Sequence, residues 1–102
     1  MSTSFTTPTY NLSSLQQAFK SVNTLRMTGT ARQGANELGM DDQDVVNAIQ
    51  CLKPSDFYKT MPSAKMPTAA NHDVYKFTWC GKQIYAKFQD LGGFIVVSFK
   101  EK

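Results

Sequence analysis

The chain is 102 residues long, 41% hydrophobic and 19% charged with a formal net charge of +3, which fits one globular domain over residues 1–102 with its own core. No apolar run approaches the roughly 20 residues of a membrane span, and the Ser- and Thr-rich start lacks the charged-then-apolar pattern of a secretory signal. Cys51 and Cys80 lack metal-type spacing and read as two reduced thiols of a cytoplasmic protein.

Residues 1–10 read as a flexible tail, with Pro8 and Asn11 discouraging regular structure. Ser13-x-x-Gln16 has the form of a capping box. Leu12, Leu15, Phe19 and Val22 then share one helical stripe, which predicts a helix over about residues 14–22. Thr30-x-x-Gln33 repeats the pattern before a short helix turning Ala31, Ala35 and Leu38 inward, and Gly39 stands where a left-handed residue ends a helix. Asp41 caps a third helix with acid in its first turn (Asp42, Asp44) and a stripe of Val45, Val46, Ile49 and Leu52.

After Pro54, residues Ser55 to Met61 read as one or two helical turns, with Phe57, Met61 and Tyr58 packed down and Lys59 projecting. Residues 62–72, with Pro62 and Pro67, read as a loop. Strands are expected at Val74 to Trp79 and Lys82 to Phe88, turning at Cys80-Gly81. Parity fixes their pairing: Trp79 with Lys82 sets Phe77 against Ile84 and Lys76 against Tyr85, whereas one step of slip would oppose apolar and polar faces. Trp79 is assigned to the core.

Gly92-Gly93 sets off a last strand, Phe94 to Lys100, of which five of seven residues are β-branched or aromatic apolars. Such a strand is expected inside the sheet, with Ile95, Val97 and Phe99 facing the core. Tyr85 then lies opposite or diagonal to Lys100. The fold class is α+β, N-terminal helices packed on a C-terminal antiparallel sheet.

The other face of that sheet collects Lys76, Gln83, Tyr85, Lys87, Ser98 and Lys100. Charge is uneven in the same sense. Residues 1–52 hold three basic against four acidic residues, and residues 53–102 hold eight lysines against four acids. A basic face with a tyrosine suits a phosphodiester backbone, the charge neutralising phosphates and the ring stacking on a base. Cutting RNA without a metal also needs a base for the 2′-hydroxyl, an acid for the leaving 5′-oxygen and cations for the phosphorus. No cluster of Asp, Glu and His has metal-site spacing, so a nuclease here would be of that metal-free type, without a cofactor. His72 is the one histidine, suited to proton transfer near neutrality and expected in a loop before the first strand. Singly, a loop histidine, a surface lysine and a sheet tyrosine are more often ordinary structural residues. The residues themselves reach a basic α+β domain suited to nucleic acid.

Ser55-Asp56-Phe57-Tyr58-Lys59-Thr60-Met61, Asp73-Val74-Tyr75, Gln83-Ile84-Tyr85-Ala86-Lys87 and Ile95-Val96-Val97-Ser98-Phe99-Lys100-Glu101-Lys102, in this order, resemble the motility quorum-sensing regulator toxins, a family of mRNA interferases. Glu37-Leu38-Gly39-Met40 and Leu12-Ser13 echo it upstream, so the likeness spans about residues 8–102. The resemblance implies a type II toxin with a RelE-like fold that cuts mRNA without the ribosome at short GC-containing sites. It also implies a zinc-containing, DNA-binding antitoxin as partner, the zinc belonging to that partner. Carried over by position, the functional residues are Lys59, Tyr85 and Lys100; the reading of the basic sheet face adds Lys76, Gln83, Lys87 and Ser98 as residues for RNA. The family usually has glutamine before Asp-Val-Tyr, where this chain has His72. The histidine either adds an acid or base, or fills a position that only orients substrate. A member that binds RNA or antitoxin without cutting is the alternative.

Overall fold

A computed structural model describes residues 8–61 and 71–101. Three helices, α1 (Leu12–Ala18), α2 (Gly29–Glu37) and α3 (Asp42–Gln50), precede a 3-10 turn at Pro54–Asp56. Four strands follow, β1 (Phe57–Met61), β2 (His72–Trp79), β3 (Lys82–Asp90) and β4 (Phe94–Glu101), in an antiparallel sheet of order β1-β2-β3-β4. The expected α+β arrangement is present. The core lies between helices and sheet, where Leu15, Phe19, Ala31, Val45, Ile49, Ile84, Ala86, Phe88, Val96 and Phe99 are fully buried.

The helices start where side chains satisfy their free N–H groups. Asp41 and Asp44 form the expected capping box of α3. For α1 and α2 the caps lie earlier than predicted. Asn11 accepts from Ser14 N, and Thr28 accepts from Ala31 N. The α1 helix ends at Ala18, with Phe19 as its C-cap, instead of running to 22, and Val22 is left exposed. Gln16 is drawn elsewhere. Its Nε2 lies 3.0–3.1 Å from the carbonyls of Ile49, Gln50 and Leu52, while Gln50 Nε2 donates to Gln16 O at 2.7 Å and Phe19 O at 3.1 Å. The two glutamines tie α1 to the end of α3. Gln16→Ala should therefore lower stability by about 1–2 kcal/mol in urea denaturation, since carbonyls at the end of α3 lose their donor. An unchanged midpoint would mean that water replaces the amide at no cost.

Thr28 also joins α2 to the sheet. Its hydroxyl donates to Val97 O at 2.9 Å, and Thr28 N and Arg26 O bond the two sides of Val96 at 3.0 and 2.9 Å. The strand β4 is thus an edge strand, contrary to its expected place inside the sheet. Chain 26–28 and the α2 helix cover its outer side, which is why it tolerates apolar residues on both faces.

The β2–β3 hairpin has the predicted register, with Trp79 opposite Lys82, Phe77 opposite Ile84 and Lys76 opposite Tyr85. Cys80 and Gly81 both have positive φ (51° and 81°), as a two-residue turn matched to strand twist requires. Trp79 is only half-buried, at the rim of the core instead of within it. The β3–β4 pairing sets Tyr85 opposite Lys100 as expected, then slips at a bulge between Lys87 and Phe88. Ser98 faces Lys87 but Val96 faces Phe88, so Val97 is the extra residue. Beyond it, Val96 and Phe94 turn to the core in place of the predicted Ile95 and Val97.

The predicted helix at Ser55–Met61 is the other main correction. Asp56 Oδ2 accepts from Lys53 N and closes a single turn, after which the chain extends as β1. Its ladder with β2 makes His72 the first residue of a strand, paired with Met61, instead of a loop residue. Of the expected loop, residues 62–70 lie outside the described residues, as do residues 1–7 of the expected tail. Thr9 and Tyr10 are tied down: both backbone N–H groups donate to the carboxylate of Asp73, and Tyr10 Oη donates to Asn71 O at 2.7 Å.

Candidate active site

The sheet face turned away from the helices carries the basic side chains in two cross-strand rows. One runs Lys59, Val74, Lys87, Ser98 across β1 to β4. The next runs Lys76, Tyr85, Lys100 across β2 to β4. Cross-strand neighbours have Cβ atoms about 5 Å apart, so the two lysines of each row, with Val74 or Tyr85 between them, have Cβ atoms about 10 Å apart and flank the residue between. Between the rows lies an open cavity of about 300 Å³ lined by Tyr58, Lys59, Met61, Val74, Tyr85, Lys87 and Lys100. Val74, only 2% exposed, forms an apolar floor.

A second bulge, between Phe57 and Lys59 in the β1–β2 ladder, makes Tyr58 the extra residue of β1. Its exposed ring stacks on Tyr85, centroids 5.9 Å apart at 19°. Two ammonium groups lie over that ring, Lys76 Nζ at 4.7 Å and Lys59 Nζ at 5.1 Å. The cation–π contacts hold both cations at the mouth of the cavity without neutralising them. No carboxylate lines the cavity, and among the described residues the ion pair lies elsewhere, between Arg32 and Asp42. The Lys87 ammonium is half-buried, and its pKa is lowered first by that burial, then by Lys100 and Lys59.

The structure brings Lys59, Tyr85, Lys87 and Lys100 to one cavity and leaves other predicted residues around it. Lys76 stands beside it, opposite Tyr85. Ser98 faces Lys87 and lines, with Lys100, Glu37 and Gly34, a neighbouring hollow of about 250 Å³ between α2 and β4. Gln83 is exposed toward the hairpin turn, opposite Thr78. His72 is half-buried at the opposite margin; it is not in the lining but pairs with Met61, which is. Tyr58 was missed because a helical reading of its segment gave it to packing. Plain alternation as a strand would also have set it on the face of buried Thr60, opposite Lys59; the bulge is what turns it outward. Two larger hollows, of about 630 and 670 Å³, gather no cations comparably: the first has no charged lining and the second holds Lys53 beside Asp56. Among the described residues no group of His, Cys, Asp and Glu could hold a metal ion.

The family described as motility quorum-sensing regulator, toxin of MqsA, matches residues 7–101. The mRNA interferase toxin MqsR of Escherichia coli (strain K12) is 39% identical over 90 residues, 86% of this chain and 91% of that protein. Since the match runs through every helix and strand described above, the chain belongs to the motility quorum-sensing regulator toxin family.

Proposed function

We propose that this chain is the toxin of a type II toxin–antitoxin pair, an endoribonuclease that cuts mRNA at short GC-containing sites without a metal or the ribosome. The observation that carries this reading is the cavity where Lys59, Lys87 and Lys100 meet Tyr85 with no carboxylate in the lining. Such a site attracts a phosphodiester and supplies the positive charge that its cleavage demands. Kinship with a protein named mRNA interferase toxin supports RNA as the substrate. The family description, toxin of MqsA, supports an antitoxin partner, here taken to be zinc-containing and DNA-binding, met in the cytoplasm.

In this mechanism Lys59 and Lys100 hold and neutralise the scissile phosphate. Tyr85 donates a hydrogen bond to it or, stacked with Tyr58, seats a base. Lys76, Gln83 and Ser98 receive the flanking nucleotides. His72, at the margin, serves as acid or base or orients the strand.

The test is cleavage of an unstructured RNA containing GCN sites, with EDTA throughout. Site-specific cuts should survive EDTA and fall about tenfold to a hundredfold in Lys59→Ala, Tyr85→Ala and Lys100→Ala. The His72→Gln lane reads the histidine's part. No cleavage by folded wild-type protein sinks the nuclease reading. Salt-dependent RNA binding without cutting would then mark a member that binds and does not cleave.

A further inference from the structure

Deepening the nuclease reading and resting on it, we propose that Lys87 is the general base, its neutral amine taking the proton of the attacking 2′-hydroxyl. The geometry singles it out among the cavity's lysines. Lys100 is exposed on an edge strand, and Lys59, half-buried as well, lies on the other edge strand beside a bulge. Lys87 stands on the inner strand β3, half-buried, between buried Val74 on β2 and Ser98 on β4. Of the charged and titratable groups around it, Lys59 and Tyr58 of β1, Tyr85 of β3 and Lys100 of β4 share its cavity, while Lys76 and His72 of β2 lie outside the lining, paired with Tyr85 and Met61. Glu37 of α2 lines the adjoining hollow with Lys100 and Ser98, not the cavity itself. The surroundings are thus cationic and partly desolvated, two conditions that favour a neutral amine. Burial and the two neighbouring lysines lower its pKa in that sense.

The step balances without a further reactant. Lys87 Nζ takes the 2′-hydroxyl proton as the O2′–P bond forms and the P–O5′ bond breaks. The leaving 5′-oxygen takes a proton from the ammonium of Lys59 or Lys100, across the same cavity. The products are a 2′,3′-cyclic phosphate and a 5′-hydroxyl, and proton exchange with water restores the site.

The test compares wild type, Lys87→Arg and Lys87→Met on the same RNA from pH 6 to 10 in EDTA, subtracting enzyme-free hydrolysis. Folding is checked by circular dichroism and RNA affinity by fluorescence anisotropy. Wild-type kcat should rise with pH, up to about tenfold per unit, and level off as the amine becomes neutral. Arginine keeps the charge but cannot give up its proton in this range. Lys87→Arg should therefore bind RNA within about threefold of wild type, yet cut about a hundredfold slower and without the inflection. Lys87→Met should lose binding as well as cleavage. Added methylamine should partly restore cleavage by Lys87→Met as its free base accumulates. A Lys87→Arg protein that cuts within about threefold of wild type with the same pH profile would overturn the assignment and leave the nuclease reading intact. A folded wild type that cuts no RNA overturns both.

Discussion

Gly34→Ala should destabilise the chain by about 3 kcal/mol or more, whereas Gly29→Ala in the same helix should stabilise it by up to about 1 kcal/mol. The sign differs because of what a methyl group meets. At Gly34 it would lie 1.9 Å from the carbonyl oxygen of Phe99, a backbone atom of β4 that no rotamer change can move. At Gly29, exposed in the first turn of α2, nothing lies within 4 Å, and the change only removes freedom from the unfolded chain. Gly34 is the point where α2 rests backbone-to-backbone on β4. For a domain of this size the loss corresponds to a fall in Tm of roughly 15 °C. A Gly34→Ala protein melting within about 2 °C of wild type would show that α2 can shift freely. The same change should impair cleavage in the cold, because Phe99 is flanked by Ser98 and Lys100, and Lys100 lines the cavity.

The hairpin and the bulges show how far local pattern reaches. In Tyr75-Lys76-Phe77 and Ile84-Tyr85-Ala86 the residues alternate between the two faces, so a slip of one residue would set the apolar face of one strand against the polar face of the other. That placed Lys76, Tyr85, Lys87 and Lys100 on one face from the sequence. The run Phe94-Ile95-Val96-Val97 offers no such contrast. Either parity buries large side chains, and the choice falls to a bulge at Val97 and to the bonds that Arg26 and Thr28 make to Val96, contacts about seventy residues apart in the chain. The five residues of β1 likewise carry too short a pattern to outweigh a helical reading. They become a strand only because the ladder with β2 is available. The site inherited this limit. Lys59 was found through family resemblance, whereas Tyr58, displaced outward by its bulge to stack on Tyr85, needed the ladder itself. The caps at Asn11 and Thr28 were obscured by Ser13 and Thr30, chemically similar candidates two residues on. What selects Thr28 is that its hydroxyl serves α2 and β4 at once.

Asp73→Ala is the second substitution expected to act strongly, with a loss of about 3–5 kcal/mol in urea or thermal unfolding. The side chain is fully buried, and its two oxygens take hydrogen bonds from Thr9 N at 3.0 Å, Tyr10 N at 2.8 Å and the Thr60 hydroxyl. Removing the carboxylate strands the buried Thr60 hydroxyl and two part-buried backbone donors on a segment distant in sequence. Asp73→Asn keeps the shape and one acceptor oxygen but aims an amide at groups that also donate, so its loss should be about half as large. A local consequence should accompany the global one. Tyr10, packed edge-on against Phe94 with centroids 5.5 Å apart, is held partly through this clamp. Chain cleavage by protease before residue 12 should therefore speed up in both variants under conditions where the core stays folded. If Asp73→Asn melts like wild type, the charge of the carboxylate is not what secures the arm, and the packing of Tyr10 is. The clamp also bears on the site, because Asp73 lies in β2 between His72 and Val74, whose side chains take the opposite face. Loosening it frees the β1–β2 ladder that aligns Lys59 with Val74 and Met61 with His72. Cleavage by Asp73→Asn should then fall at temperatures well below its melting point, while a clamp that serves stability alone would leave the cold activity untouched.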